Sequence, residues 1–243
     1  RFPCGRWLAK SNDDGSTERL LVAELQQKHT NNNEESLNSA SLSPQRRSPV
    51  MPRKTPEKNT IPVVQENVAN AVNNIVKYFC RPEPSSEKGY LTYLLCGESG
   101  LCDSLDQVFQ CGFKSARLFQ KNFFIWDFIE KVYFYLNSEE GSFILTDHRH
   151  AKLSFCSVVQ KINDASQSVG KDGKFQTFVC LGARDHLLEE WFPLISVCPV
   201  TAHMYEQNSF LRDKDMVEFL VGVLRSLVEF NIVLEASLLK GIS

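Results

Sequence analysis

The sequence predicts an all-α fold for most of its length, on three observations. From Pro62 onward, apolar residues recur at three- and four-residue steps, the period of a helix with one buried face. Alternating apolar and polar runs of the strand type are scarce. One stretch, residues 122–137 (NFFIWDFIEKVYFYLN), is apolar or aromatic at eleven of sixteen positions. As a helix it is about 24 Å long at 1.5 Å per residue, roughly the width of a small domain. Its charged residues Asp127, Glu130 and Lys131 fall at i, i+3 and i+4 and so form one narrow stripe. A helix apolar over most of its circumference is wrapped by other elements or sits in lipid. Three charges and a length below the ~20 residues of a membrane span argue for the former. The expectation is a central helix sheathed on nearly all sides.

The elements follow in order. Residues 1–25 stand apart from the rest: Arg6-Trp7-Leu8-Ala9 is a short strand-like run, and Asn12-Asp13-Asp14-Gly15-Ser16 has turn chemistry before Leu20 and Leu21 resume an extended pattern. An isolated two-stranded hairpin is marginal in water, so this segment reads as the last hairpin of a larger β-domain. Residues 26–61 are rich in Asn, Ser, Pro, Lys and Arg and poor in large apolar side chains. Such a segment cannot bury enough surface to offset its ordering entropy and reads as a disordered polar linker. Ser43, Ser48 and Thr55 each precede a proline, and Ser48 follows Arg46-Arg47. They are the candidate phosphorylation sites, each adding about −1.5 to −2 charge.

In 62–243, Val64, Val68, Ala71, Val72, Ile75, Val76 and Phe79 predict a first long helix, stopped by Arg81-Pro82-Glu83-Pro84. A shorter helix follows over residues 89–95, and Leu101, Leu105, Val108 and Phe109 make a third, ended by Gly112. After the central helix, closed by Gly141, the pattern predicts a helix over 149–165. A glycine-rich break at 170–173 then precedes a helix over 175–183, and another over 187–198 is broken by Pro199. Val217, Leu220, Val221, Leu224, Leu227 and Val228 build the last long helix, before a short final segment at 234–239. The sum is a bundle of about eight helices.

Charge narrows the function classes. Residues 1–25 carry four basic and four acidic side chains, 26–61 six and three, and 62–243 seventeen and twenty-two. A helical domain at −5 is a poor match to a phosphate backbone, which argues against nucleic acid as its partner. The eight cysteines, at 4, 80, 96, 102, 111, 156, 180 and 198, include no CxxC pair. They read as buried free thiols in a reducing compartment. No signal peptide or membrane span is legible, and a start in mid-pattern at Arg1 reads as a piece of a longer chain.

Catalytic motifs fail on inspection. Gly97-Glu98-Ser99-Gly100 lacks the second glycine of a nucleophile elbow, since position 101 is Leu101, and no strand precedes it. It reads as a helix start, with Ser99 or Asp103 capping. His148 and His150, two apart, do not share a helix face, and no further ligands show metal-site spacing; Asp147 reads as a cap there. Gly170-Lys171-Asp172-Gly173-Lys174 offers two lysines ahead of a helix but is no P-loop. No catalytic residue, cofactor site or metal site emerges, and residue chemistry alone reaches a helical interaction module.

Several blocks carry a resemblance. LCDSLDQVFQCGFKSARLFQKNFFIWDFIEKV, GKDGKFQTFVCLGARDHLLEEWF and LVGVLRSLVEFNIVLEASLLKG are similar to successive parts of a RUN domain, together spanning about 180 residues. FPCGRWLAKSNDDGSTERLL resembles the closing strands of a PLAT domain, a β-sandwich. That order, PLAT end at 1–25, linker at 26–61 and RUN domain at 62–243, resembles the C-terminal end of the large DENN-domain-containing Rab regulators, with this as the second RUN domain. The resemblance implies a non-catalytic module binding a small GTPase of the Rab or Rap type, or a trafficking adaptor. It also implies a cytoplasmic protein, peripheral on Golgi or endosomal membranes. The parent's guanine-nucleotide exchange activity would lie in a DENN portion outside this chain. The partner contacts it suggests are the basic residues near the two glycine turns: Lys114, Arg117, Lys171, Lys174 and Arg184. Many family members carry a tryptophan and a second basic residue where this chain has Gln176 and Phe178 after Lys174. A partner other than a GTPase therefore stays open. A second reading makes the domain a scaffold that packs on the PLAT sandwich and positions the exchange-factor domain.

Overall fold

The computed structural model describes residues 60–81, 89–115, 123–144, 148–165, 169–236 and 238, all within one compact unit. The expected hairpin at 1–25 and the linker with Ser43, Ser48 and Thr55 lie outside the described residues. The described residues form helices joined by turns and irregular segments, with a single isolated bridge between Phe113 and Tyr205 and no strand. None of these helices is long and apolar enough to cross a membrane.

Helix α1 (Ile61–Phe79) starts with Pro62 in its first turn and buries Val64, Val68, Ala71, Val72 and Ile75, the periodic face read from the sequence. Helix α2 (Tyr90–Cys96) leads through a tight turn into α3 (Leu101–Gln110). The cap of α3 is Gly100, with no side-chain cap bond, so neither Ser99 nor Asp103 serves as expected. Ser99 instead has φ 58° and shapes the turn, while Asp103 accepts a bond from Gln107. A Cβ on Gly100 would stand 2.8 Å from the Leu94 carbonyl oxygen, so the turn closes on its own backbone.

Helix α4 (Ile125–Leu136) is the predicted central helix, three residues later in its start because Phe124 is extended and caps it. Asp127 accepts a bond from the Phe124 N–H at 2.9 Å, satisfying one of the helix's free donors. The short α5 (Glu139–Ile144) follows almost at once, where the pattern had only a glycine stop. Gly141 is required there by proximity, since a Cβ would meet the Tyr135 carbonyl oxygen at 2.2 Å. Helix α6 (Arg149–Ala165) matches its predicted range; Asp147, its expected cap, is outside the described residues.

Helix α7 (Lys171–Arg184) corrects the sequence reading, because the glycine-rich break is its first turn. Val169 folds back onto Gly173, where a Cβ would come within 2.4 Å of a valine methyl. Helix α8 (Leu188–Val197) passes through Cys198 into α9 (Pro199–Met204), so Pro199 starts a helix where a break was expected. A 3₁₀ turn (Phe210–Arg212) precedes α10 (Lys214–Arg225), capped by Asp213, whose carboxylate accepts from the Asp215 and Met216 N–H groups at 3.0 and 3.2 Å. In the short final segment, the described residues 231–235 are irregular, with Ile232 and Leu234 still buried.

The core is aromatic. Phe178 of α7 stacks on Trp191 of α8 at 4.6 Å between ring centres, and Phe155 of α6 and Trp126 of α4 meet Phe178 edge-on. The Trp191 indole N–H donates to Ser154 Oγ at 3.0 Å, so its one polar atom is satisfied. A second group joins Phe109, Phe113, Phe128 and Tyr205; the Tyr205 hydroxyl donates to the Phe109 carbonyl at 2.8 Å. Helix α4 supplies Trp126 to the first group and Phe128 to the second, which places it at the centre as predicted.

Candidate functional site: the outer face of the central helix

The sheath around α4 is incomplete, a correction to the expectation from its composition. Ile125, Trp126, Phe128, Ile129, Val132 and Leu136 are buried, but Phe134 is 66 % exposed and Phe124 47 % exposed. The reason lies in the helical period. Phe134 is four residues after Glu130 and three after Lys131, so it shares the charged stripe and not the buried face. Single exposed apolar side chains are ordinary on a surface, and Tyr93 and Leu153 are comparably open; what sets Phe134 apart is its place on a charged stripe that also carries Lys131.

Basic side chains gather at the N-terminal end of this face. Lys171 Nζ is 2.6 Å from Asp127 Oδ1 and 5.0 Å from the centre of the Phe124 ring. Lys174 Nζ lies 5.7 Å from the Trp126 ring centre and donates to Asn163 Oδ1 at 2.8 Å. Lys131 Nζ is 5.6 Å from the Phe123 ring centre. Ser115, next to Lys114, accepts a backbone bond from Phe123 at 2.7 Å, which ties the Lys114 segment to the same end of the helix. Lys114 is exposed, with Nζ 3.5 Å from the His203 carbonyl oxygen.

The structure thus brings three of the five expected contacts, Lys114, Lys171 and Lys174, to one end of α4. It does not bring Arg184, which closes α7 some 20 Å away along the helix at 1.5 Å per residue. Arg184 is also engaged locally: its Nε and Nη2 both sit 2.7 Å from the Asp185 carboxylate, which holds its pKa above the ordinary value. Arg117 lies outside the described residues. The Lys171 charge is largely spent on Asp127, whose side chain is only 11 % exposed. Lys131, Phe124 and Phe134 were not singled out in the sequence as contacts; the signal that points to them is the position of Phe134 on the charged stripe.

A second surface is built from other helices. Between α8 and α10 runs a groove of about 660 Å³, lined by Pro193, Val197, Leu211, Val217 and Val221 and open at Gly222. Its rim mixes both signs, with Arg212, Lys214 and Arg225 among Asp213 and Glu218.

The residues weighed for chemistry take structural roles. Ser99 is exposed in its turn. His150 Nδ1 and Glu190 Oε2 are 2.5 Å apart on the surface, a pair that ties α6 to α8. The structure does assemble one group that spacing concealed. Cys96 Sγ lies 3.3 Å from Cys180 Sγ and 4.0 Å from Cys102 Sγ, and Cys102 and Cys180 are 3.9 Å apart. Hydrogen bonds from the thiols of Cys102 and Cys180 and from the Gln176 side chain outweigh burial and hold the Cys96 thiol well below its usual range. Cys102 is driven the other way by its bonds to Cys180 and Cys96 and by burial.

The family model of the RUN domain matches residues 100–238. Helices α1 and α2 precede that stretch, yet α1 packs on α3 and α10 and shares their core. With more than half its length in the match and an all-helical fold to accompany it, the chain belongs to the RUN domain family, whose members are protein-interaction modules.

Proposed function

We propose that this RUN domain is a non-catalytic module that binds a small GTPase of the Rab or Rap type through the outer face of α4. The observation that carries the reading is the pair of exposed rings, Phe124 and Phe134, on a face that also presents Lys131 and, at its N-terminal end, Lys114, Lys171 and Lys174. The rings supply the apolar centre that charges alone cannot, and the lysines steer encounter with an acidic partner. In this reading the parent is a Rab regulator with PLAT and DENN portions and exchange activity in the latter. It works in vesicle trafficking, from the cytoplasm, at the surface of Golgi or endosomal membranes. A trafficking adaptor in place of the GTPase would use the same face.

The test is capture by the full chain of a panel of small GTPases loaded with GDP or a non-hydrolysable GTP analogue. The reading expects at least one GTPase to be retained with the analogue and released with GDP. Capture indifferent to nucleotide favours an adaptor role, and no capture in either state overturns the GTPase reading.

A further inference from the structure

The three thiols of Cys96, Cys102 and Cys180 come from three different helices and converge on one point. The turn of Gly97 to Gly100, with Ser99 at positive φ and Gly100 closed on the Leu94 carbonyl, folds α2 back on α3 and sets Cys96 beside Cys102. Helix α7 then brings Cys180 across from 78 residues away in sequence. The ligand atoms of these three residues all lie within 4.8 Å of one another. A zinc–sulfur bond of about 2.3 Å in tetrahedral geometry separates neighbouring sulfurs by roughly 3.8 Å. The observed edges of 3.3, 3.9 and 4.0 Å already bracket that value.

The structure assigns to Cys96, Cys102 and Cys180 a three-thiolate site for a thiophilic d¹⁰ metal ion, zinc or copper(I). Three sulfurs form one face of a tetrahedron for zinc or a trigonal plane for copper(I), and soft thiolates select these ions over the hard cations. Cys102 and Cys180 are buried, whereas Cys96 is half-buried, so the ion enters past Cys96, and water completes the zinc tetrahedron on that side. Binding zinc releases three thiol protons and leaves the site with one net negative charge. One feature offsets that charge. Cys102 stands in the first turn of α3, where free backbone N–H groups favour anions. The Cys102 thiol donates to the Gln176 backbone carbonyl at 3.8 Å, a bond given up when that proton leaves. The site owes nothing to the GTPase reading; the two share only α7, which carries Lys171 and Lys174 in its first turn and Cys180 roughly two turns further on.

The full chain, reduced and stripped of metal under inert gas, is titrated with Co²⁺ as a coloured substitute for zinc, then with Zn²⁺ against a chromophoric chelator and with Cu⁺ against a bicinchoninate. The expected result is one equivalent bound, a sulfur-to-cobalt charge-transfer band, and its loss on adding zinc. Cys96→Ser should weaken binding by more than the roughly 10–100-fold that loss of an outer hydrogen-bond partner costs. Cys111→Ser and Cys198→Ser, outside the cluster, should leave it unchanged. The proposal fails if the chain binds none of these ions, or if Cys96→Ser binds as tightly as the parent. Should that variant not fold by circular dichroism, iodoacetamide labelling of the unaltered chain decides instead. Bound metal must slow alkylation of Cys96 at least tenfold, and an unchanged rate overturns the assignment.

Discussion

The two faces of α4 carry similar residues to opposite ends. On the inner face Trp126 and Phe128 are fully buried, each meeting rings from other helices, and their exposure to water is lost completely on folding. On the outer face Phe124 and Phe134 keep about half or more of their surface in water, among Asp127, Glu130 and Lys131. The hydrophobic drive per ring is the same, roughly 1.5–3 kcal/mol when burial is complete. Only position on the helical wheel separates a core residue from a surface one. The inner rings therefore answer for stability, and the outer rings are free to answer for binding.

The largest effect should come from the inner side. Trp191→Ala removes the ring stacked on Phe178 and the indole bond to Ser154, and should cost about 3–5 kcal/mol in denaturant unfolding. A loss below ~1 kcal/mol would break the claim that the aromatic stack holds the bundle. Gly141→Ala forces a methyl toward the backbone oxygen of Tyr135, in the last turn of α4, and should cost about 1–3 kcal/mol. The Asp213 cap of α10 is worth ~1 kcal/mol, to be seen as a lowered unfolding midpoint in Asp213→Ala. On the outer side, Phe134→Ser should change stability by no more than about 0.5 kcal/mol. A larger loss would mean that the exposed ring is structural after all.

A pH series sharpens the same contrast. Burial first, then the charges of Asp103 and Asp172, raise the pKa of Asp106 above its ordinary 3.8. The folded state then binds more protons than the unfolded one between the two values, so this group's contribution is most favourable below 3.8 and is lost as pH rises through the folded pKa. Asp106→Asn should accordingly be more stable than the parent at neutral pH, with the advantage vanishing near pH 3. Thermal melts at both pH values check the direction.

Much of this fold was legible in the sequence, and the reasons for the rest are physical. The long helices announced themselves because each has one buried face, so Val64 to Ile75 or Phe155 to Ile162 repeat at the helical step. Short connections hid more. Gly170 and Gly173 look like a break, but the second glycine makes room for Val169 at the start of α7. Pro199 looks like a stop, but proline fits the first turn of α9. At the candidate site, the nearness of Lys114, Lys171 and Lys174 to glycine turns was readable, but that the two turns lie at one end of α4 was not. Nor was the pairing of Lys171 with Asp127 and of Lys174 with Asn163, because those partners come from other helices. The thiol cluster was invisible for the same reason, since Cys180 is 78 residues from Cys102.

The division between the two faces is tested most directly by measuring affinity for a GTPase loaded with a GTP analogue across two double variants. Phe134→Ser with Lys131→Glu alters the outer face of α4, and Val197→Ser with Val221→Ser alters the groove between α8 and α10. Two contact residues of this kind are together worth at least about 2 kcal/mol, near thirtyfold in Kd. The account predicts that loss for the first pair, with folding intact, and an unchanged Kd for the second. Full affinity in the first pair and loss in the second would place the binding surface in the groove between α8 and α10.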